Sequence, residues 1–579
     1  MDDCNSDHPF EIKEEVKNKS KYMIAKQLIE PKSIVVVGGS DDIHKPGGTV
    51  LRNLQDGNFK GSLYVVNPKM DEVQGIKAYR DVKDLPEVDC AILAIAAKFC
   101  PSTVEVLAKQ KNTKAFIILS AGFHEENEEG AKLERQIVET INSVGGSLIG
   151  PNCIGVLTNH YSGVFTSPIP ELNPQGVDLI SGSGATALFI MDSGMQKGIK
   201  FNSMYSVGNS AQLGVEEILE YMDESFDPKT SSRVKLLYVE SIEKPEKLLK
   251  HASSLIRKGC RIAAVKSGGS AAGSRAASSH TGALASSDVA VEALFRKAGI
   301  VRCNGRDELM TVAGIFMHPE MKGRNMAVVT HAGGPAVMLT DALSNGGMDV
   351  PHIEGEKAQE LLTKLFAGSS VGNPIDFLAT GTAEQLGYIL DACDQDFDNI
   401  DGMAVIFGSP GLFPVFDVYR VLDEKMKTSK KPIFPIFPSS KIVKDEIAEF
   451  VSKGRVYFPD EVLFGNALCK IYKTPAPQPE HFEMPDMDVK KIREVVNNAQ
   501  NGYLSPDEIH TLLDAAGVAR AKEGVSDNEE EIVKMAKEIG FPLVMKVVGP
   551  IHKSDVGGVV PTAGRQASRT PGTVGCRRL

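Results

Sequence analysis

Short runs of apolar, largely β-branched residues recur along most of the chain, and mixed-polarity stretches of helical length separate many of them. Ile34-Val35-Val36-Val37 stops at Gly38-Gly39-Ser40. Ser62 to Asn67, Cys90 to Ala96 and Ala115 to Leu119 repeat the pattern, and Thr103 to Lys111 has the length and polarity of a covering helix. Continuous apolar strands between helices describe a parallel sheet covered on both faces, so residues 25–150 are expected to form a Rossmann-like unit. A second series occupies residues 151–305, with strands at Gly176 to Ile180, Val234 to Val239 and Arg261 to Val265. A third occupies residues 306–472, with strands at Met326 to Thr330, Met403 to Phe407 and Pro432 to Pro435. The strands end in turns rich in Gly, Ser, His or Pro, and in open α/β sheets the loops at strand C-termini are where ligands bind.

The pattern then changes. Lys473 to Pro479 carries three alternating prolines, which make a stiff extended linker, assigned to 473–488. In residues 489–560, Ser505, Pro506 and Glu508 have the spacing of a capped helix running to Ala516. Glu529 to Ile539 is amphipathic, and Phe541 to Val548 reads as a strand. Residues 1–24 are a polar N-terminal extension. Residues 561–579 hold four arginines and no acid, so they are expected to be a disordered tail. The change after Val560 is abrupt enough to suggest a frameshift or a mis-spliced end, with a natural basic tail as the alternative.

Composition narrows the class. A chain of 579 residues suggests about three to five domains, and 42% hydrophobic with 24% charged residues can build several cores. A net charge of −11 argues against non-specific nucleic-acid binding. The nine cysteines show no CxxC and no zinc-like spacing with histidine, which reads as reduced thiols in a cytoplasmic protein. No signal peptide and no run near the ~18 apolar residues of a membrane span is visible.

Several segments carry candidate chemistry. Gly38-Gly39-Ser40, followed by Lys45-Pro46-Gly47-Gly48, offers backbone amides to a phosphate. The spacing is not GxGxxG, and Asn67-Pro68-Lys69 stands where a dinucleotide site would need an acid, so Lys69 favours an additional phosphate. An ordinary βα turn accounts for this segment equally well. Lys266 to Ala283 is a run of small residues around His280, suited to a mobile loop, and a neutral imidazole accepts and releases a phosphoryl group near pH 7. A surface loop with an incidental histidine explains the same composition. Ser181-Gly182-Ser183-Gly184 and Thr330 to Pro335, with Gly333 and Gly334, precede helical runs whose N-termini suit phosphate. Glu240 ends an apolar strand, where it could orient an imidazole or simply be solvated. Lys546 lies within an apolar strand, which is costly unless an anion meets it, and His552-Lys553-Ser554 follows.

Taken together, these segments resemble the ADP-forming acetate–CoA ligases, relatives of succinyl-CoA synthetase, over about residues 25–560. The resemblance rests on VVVGGSDDIHKPGGTVLRNL, GPNCIGV, ISGSGATA, SVGNSAQLGVEEILEYM, YVESIEKPEKL, KSGGSAAGSRAASSHTGALA, THAGGPAVMLTDAL, GNPIDF and LVMKVVGPIHKSDVGGVV. It implies a Rossmann-like CoA-binding domain, two flavodoxin-like parallel-sheet domains and the beginning of an ATP-grasp domain. It also implies conversion of acyl-CoA, ADP and phosphate into a carboxylic acid, ATP and CoA through an acyl phosphate and a phosphohistidine.

By the same resemblance, His280 carries the phosphoryl group, Glu240 orients it, and His552 matches a second proposed carrier. Gly38, Ser40, Lys45, Asn67, Pro68 and Lys69 hold CoA. Ser183, Gly184, Gly333 and Gly334 stabilise phosphoryl charge, and Lys546 contacts nucleotide phosphates. Mg²⁺ is expected for the complete reaction, and the family points to small acids such as acetate and to a homo-oligomer. Gln212-Leu213 stand where relatives often have an acidic cluster. The second ATP-grasp half is expected to be absent, so transfer to ADP should need it from elsewhere. Two other readings stay open: a CoA-binding protein without catalysis, and an NAD-dependent dehydrogenase, against which Lys69 counts.

Overall fold

The computed structural model describes residues 24–57, 59–281, 287–409, 411, 414–479, 486–500, 502, 504–546 and 559–562, with the backbone alone at 277–281, 506 and 559–562. The first sheet contains β1 (Ser33–Val37), β2 (Ser62–Val66), β3 (Glu72–Val73), β4 (Ile76–Tyr79), β5 (Cys90–Leu93), β6 (Ala115–Ile118) and β7 (Ser147–Ile149). Their order is β3-β4-β2-β1-β5-β6-β7, and only the β3–β4 pair is antiparallel. Successive residues of β1 point to opposite faces. Ile34 and Val36 join one buried cluster and Val35 and Val37 another. That two-sided burial is why the strand is apolar from Ile34 to Val37.

The second sheet contains β8 (Gly155–Leu157), β9 (Ser162–Val164), β10 (Leu172–Ser181), β11 (Phe201–Ser206), β12 (Val234–Val239), β13 (Arg261–Lys266) and β14 (Val301–Cys303), in the order β14-β13-β12-β10-β11-β8-β9. It is parallel from β10 to β14, but β8 runs antiparallel to both β9 and β11. The antiparallel β8 and β9 are additions to the expected parallel sheet: a three-residue strand cannot show its periodicity in the sequence. The third sheet, β15 (Met326–Thr330), β16 (Ile375–Asp376), β17 (Gly402–Ile406) and β18 (Ile433–Ile436), is parallel with order β16-β15-β17-β18. One buried cluster joins the first two sheets and another joins the second and third. The ligand-bearing rims are therefore held by continuous packing rather than by loops alone.

Two sequence expectations change. The segment around His280 is not a loop throughout: a helix spans Ala271–Thr281. Ser270 Oγ accepts the Gly273 N–H at 3.0 Å, and the following alanines are strong helix formers. The Pro-rich segment is not free from its start either. Gln478 N–H donates to Lys297 O at 3.0 Å, and a β-carbon added at Gly299 would lie 2.9 Å from Pro477.

The chain divides into two compact units after Gln478. In the second unit the helices Val489–Asn498 and Pro506–Ala515 join through Asp488 N–H to Ala515 O at 2.8 Å. Ser505 and Glu508 form the reciprocal cap that their spacing predicts. β19 (Leu543–Lys546) pairs antiparallel with β20 (Val559–Thr562). Pro561 and Thr562, assigned above to the tail, thus belong to a strand. Residues 1–23 and 563–579 lie outside the described residues. Among the described residues no helix is long and apolar enough to cross a membrane, and seven cysteines are all free and buried.

Candidate functional site

At the C-terminal rim of the first sheet, β1 delivers the chain to Gly38 at φ +88°, where a β-carbon would sit 2.6 Å from Ala94 O. Only glycine turns the chain there. The helix Pro46–Asp56 starts on proline, whose missing N–H costs nothing at that position. Ser40 Oγ accepts the Asp42 N–H at 3.1 Å. Asn67 Nδ2 donates to Gly39 O at 2.9 Å, and Asn67 Oδ1 accepts the Lys69 N–H at 2.9 Å, which fixes the turn through Pro68. Lys45 is exposed and 3.7 Å from Asp42, a surface pair of small strength. Lys69 is exposed as well. Gly38, Ser40, Lys45, Asn67, Pro68 and Lys69 therefore share one rim with two unburied cations.

A cleft of about 420 Å³ lies where the first and second sheets meet. Its walls include His124, Glu125, Asn152, Cys153, Ser183 and Gly184, and also Asn209, Glu216, Glu217, Glu240 and Lys244. Its turns interlock. Asn152 N–H donates to Ser120 O at 2.9 Å and Asn209 N–H to Pro151 O at 2.9 Å. A β-carbon at Gly208 would lie 2.2 Å from Pro151 O, so the two backbones touch only because that residue is glycine. The helix Gly184–Gln196 opens into the cleft, capped by Ser183 Oγ, which accepts the Thr186 N–H at 3.4 Å. The cap is on Thr186, and the Gly184 and Ala185 amides of the same first turn face the region where an anion is favoured.

The electrostatics of the cleft are specific. Burial pushes the Glu217 carboxyl up, but hydrogen bonds from Lys244 and the Gly214 N–H outweigh it and leave it below its usual range. The hydrogen bond to Glu134 holds the His124 imidazolium above its ordinary 6.5 against partial burial, and Glu125 and Glu243 add to the effect. Burial pushes the Cys153 thiol up to about 12, so it stays protonated and is no nucleophile at neutral pH.

Glu240 follows β12 on the cleft wall, with the Tyr238 hydroxyl 3.5 Å from its Oε1. β12 pairs in parallel with β13, with Val239 opposite Lys266. The topology thus sends the His280 helix out from the strand beside Glu240. At the third rim the helix Gly333–Asn345 follows β15, with Ala332 before it and no side-chain cap. Gly333 and Gly334 are exposed. Lys546 ends β19 and is exposed, so the desolvation argument made for it does not hold in this structure. His552 lies outside the described residues. The sequence pattern missed His124, Glu125, Glu216 and Glu217. Their signal was spacing within SAGFHEEN and QLGVEE, where the acids fall just past the Gln212-Leu213 noted above.

Family models match three segments: a CoA binding domain at residues 32–159, a succinyl-CoA ligase like flavodoxin domain at 174–316, and an ATP-grasp domain at 495–564. The ADP-forming acetate–CoA ligase I of Archaeoglobus fulgidus is 33% identical over 546 residues, covering 92% of this chain and 77% of that protein. The chain belongs to the ADP-forming acetate–CoA ligase family. The ADP-forming 4-hydroxybutyrate–CoA ligase of Nitrosopumilus maritimus is 30% identical over 551 residues, with 92% and 77% covered. Among solved structures, the dinucleotide-forming acetyl-CoA synthetase 1 of Candidatus Korarchaeum cryptofilum, in complex with phosphate and ADP, superposes with a TM-score of 0.69. It is 26% identical, covering 77% of this chain and 96% of that one. Membership in this ligase family replaces the dehydrogenase reading of the first sheet.

Proposed function

We propose that this chain interconverts acyl-CoA, ADP and phosphate with a small carboxylic acid, ATP and CoA, with His280 as the phosphoryl carrier. The observation that carries the reading is the cleft that gathers Ser183, Gly184 and Glu240, beside the strand that leads to the His280 helix.

In the first step a phosphate oxygen attacks the thioester carbonyl and CoA leaves as its thiolate, giving an acyl phosphate. The Gly184 and Ala185 amides oppose the charge that builds on the phosphoryl oxygens. In the second, a ring nitrogen of His280 attacks phosphorus and the carboxylate leaves. Glu240 accepts the other ring N–H and fixes the tautomer. Gly333 and Gly334 offer a second set of helix amides. Gly38, Ser40, Lys45, Asn67, Pro68 and Lys69 hold CoA at the first rim, with Lys45 and Lys69 facing its phosphates. Transfer to ADP falls to the second unit, where Lys546 contacts nucleotide phosphate and His552 acts as the second carrier. Mg²⁺ belongs to that transfer in the complete reaction. Among the described residues no group of three or more His, Cys, Asp or Glu is placed to hold a metal, so no step here is routed through it. The same reading expects a cytoplasmic homo-oligomer with no membrane or nucleic-acid partner.

The test uses the full chain with acyl-CoA and radiolabelled inorganic phosphate. Acid-labile label should accumulate on the wild type and fall by more than about 10³-fold in H280N, the scale of losing a nucleophile. Undiminished label in H280N, with folding preserved, would overturn the assignment.

A further inference from the structure

Phosphate and acyl phosphate are anions, yet five carboxylates, Glu125, Glu216, Glu217, Glu240 and Glu243, stand on the wall of the cleft that should receive them. Many of those are already engaged. Glu125 accepts the Gly122 N–H at 2.7 Å, the Phe123 N–H at 3.2 Å and a hydrogen bond from Asn209 Nδ2. Glu216 accepts the Glu243 N–H at 3.0 Å and the Lys244 N–H at 3.1 Å. Two cationic side chains lie on the wall, Lys244 and His124. The Lys244 ammonium is 2.9 Å from the buried carboxylate of Glu217.

His124 differs. Its Nδ1 is held by both oxygens of Glu134, at 2.7 and 2.9 Å. Glu134 comes from the helix Glu128–Ser143, and Asn209 Nδ2 reaches it at 3.2 Å from the other side. A carboxylate on Nδ1 fixes the ring and its tautomer and leaves Nε2 as the working atom. Among the described residues Nε2 has no hydrogen-bond partner, and the side chain is 34% exposed. The ring therefore keeps one donor that the fold does not use, on the wall of the cleft that also holds the Gly184 helix start.

We propose that His124 is a substrate-binding residue of the acyl-transfer cleft, its Nε2–H donating to an anionic phosphoryl oxygen of inorganic phosphate or of acyl phosphate. This rests on the ligase reading above and adds the group that offsets the cleft's acidity. Glu134, Glu125 and Glu243 are the titratable groups acting on the ring, and all favour its protonated form. The donor charge thus persists to higher pH than on a free imidazole and is lost as pH rises through the elevated pKa.

The experiment measures phosphoenzyme formation on the full chain in two arms, one with inorganic phosphate plus acyl-CoA and one with acetyl phosphate alone. In H124Q the half-saturating phosphate should rise about tenfold near pH 6.5, the scale of one charge-assisted hydrogen bond, while half-saturating acyl-CoA stays within about twofold. The wild-type advantage should shrink toward unity by about pH 9 as the ring deprotonates. Ionisation of phosphate itself is common to both proteins and cancels in the ratio. H124K, which restores a cation, should recover most of the affinity without that pH dependence. A shift in both arms assigns the contact to the oxyanion shared by the two ligands; a shift in one assigns it to that ligand. Unchanged half-saturation in both arms overturns the proposal, as does a loss equal at both pH values or one that H124K fails to restore. Such results leave the ligase reading intact, because that stands or falls with the label on His280.

Discussion

The second and third sheets each end in a helix that begins on glycine, and the two starts are built differently. At Gly184 the turn is packed: a β-carbon there would lie 2.6 Å from Ile154 Cγ2, and Ser183 caps the first turn from its own side chain. Charged groups line the same cleft, Glu240 and His124, the latter paired with Glu134. At Gly334 a β-carbon would meet nothing within 4 Å, and at Gly333 the nearest atom is Asp376 Oδ2 at 3.7 Å. The neighbouring group there is His331, whose Nε2 accepts the Gly408 N–H at 2.9 Å and whose ring lies 4.3 Å from that of Phe407. Two similar stretches of sequence, ISGSGA and THAGGPA, thus produce one tight, charged rim and one open, largely neutral rim. The tight rim suits bond making, where groups must be fixed. The open rim has room for something to approach and leave.

The largest expected break in this comparison is E240Q. Glutamine keeps the size but cannot stabilise a charged imidazole. Labelling of His280 from acyl-CoA and phosphate should slow by about 10–100-fold, the range for removing a carboxylate that orients a working histidine. Among the described residues Asp376 is the carboxylate nearest the Gly333 start, at 3.7 Å from an added β-carbon, and D376N should have the smaller effect on the same step. If D376N slowed labelling more than E240Q, the division of roles between the rims would be wrong.

The glycine helix starts of both rims were legible in the sequence, and the gathering of side chains around the tight one was not. Strands β1, β5, β12 and β15 announced themselves because both faces are buried, which leaves nearly continuous apolar runs; Lys235 in β12 is the exception, buried in an ion pair with Asp178. Ser183 and Gly184 followed from a strand ending in small residues. Glu240 was marked by its place after YV, but nothing local said that a cleft would gather His124, Glu125 and Glu216 around it. That gathering depends on the packing of the first sheet against the second, which is set by buried contacts far apart in sequence, such as Tyr161 hydroxyl to Leu28 O at 2.8 Å. Strands of three residues, such as β8, β9 and β14, lack the length to show a period. The helix Ala271–Thr281 was read as a loop because small residues signal flexibility, although alanine behind a serine cap signals a helix equally well.

A smaller effect separates the two glycines directly. In G184A the added methyl must displace Ile154, so the protein should lose about 1–3 kcal/mol of stability, the cost of overpacking a fixed site. In G334A the methyl enters open space and removes glycine's conformational freedom, so stability should hold or rise by up to about 1 kcal/mol. The thermal midpoint of G184A should therefore fall below the wild type while that of G334A holds or rises. Equal movement would mean that the rims are equally packed.

The smallest effect concerns pH and belongs to the open rim alone. Burial holds the His331 imidazole below its ordinary 6.5, although the charge of Asp376 acts the other way. The folded protein therefore keeps this ring neutral where the unfolded chain would protonate it. Below pH 6.5 the unfolded state binds the extra proton, so the stability due to His331 is fully present above that value and declines as pH falls toward the depressed folded value. H331Q retains an acceptor for the Gly408 N–H but cannot titrate. The thermal midpoint of the wild type relative to H331Q should fall between about pH 7.5 and 5, while buried His318 titrates in both proteins and cancels. At the tight rim the sign reverses, because Glu134 favours protonated His124, and acidification through the same range should not weaken that contact. A wild-type-to-H331Q difference that stayed level across this range would show that the third rim does not hold its histidine neutral, and would remove the electrostatic half of the contrast between the two helix starts.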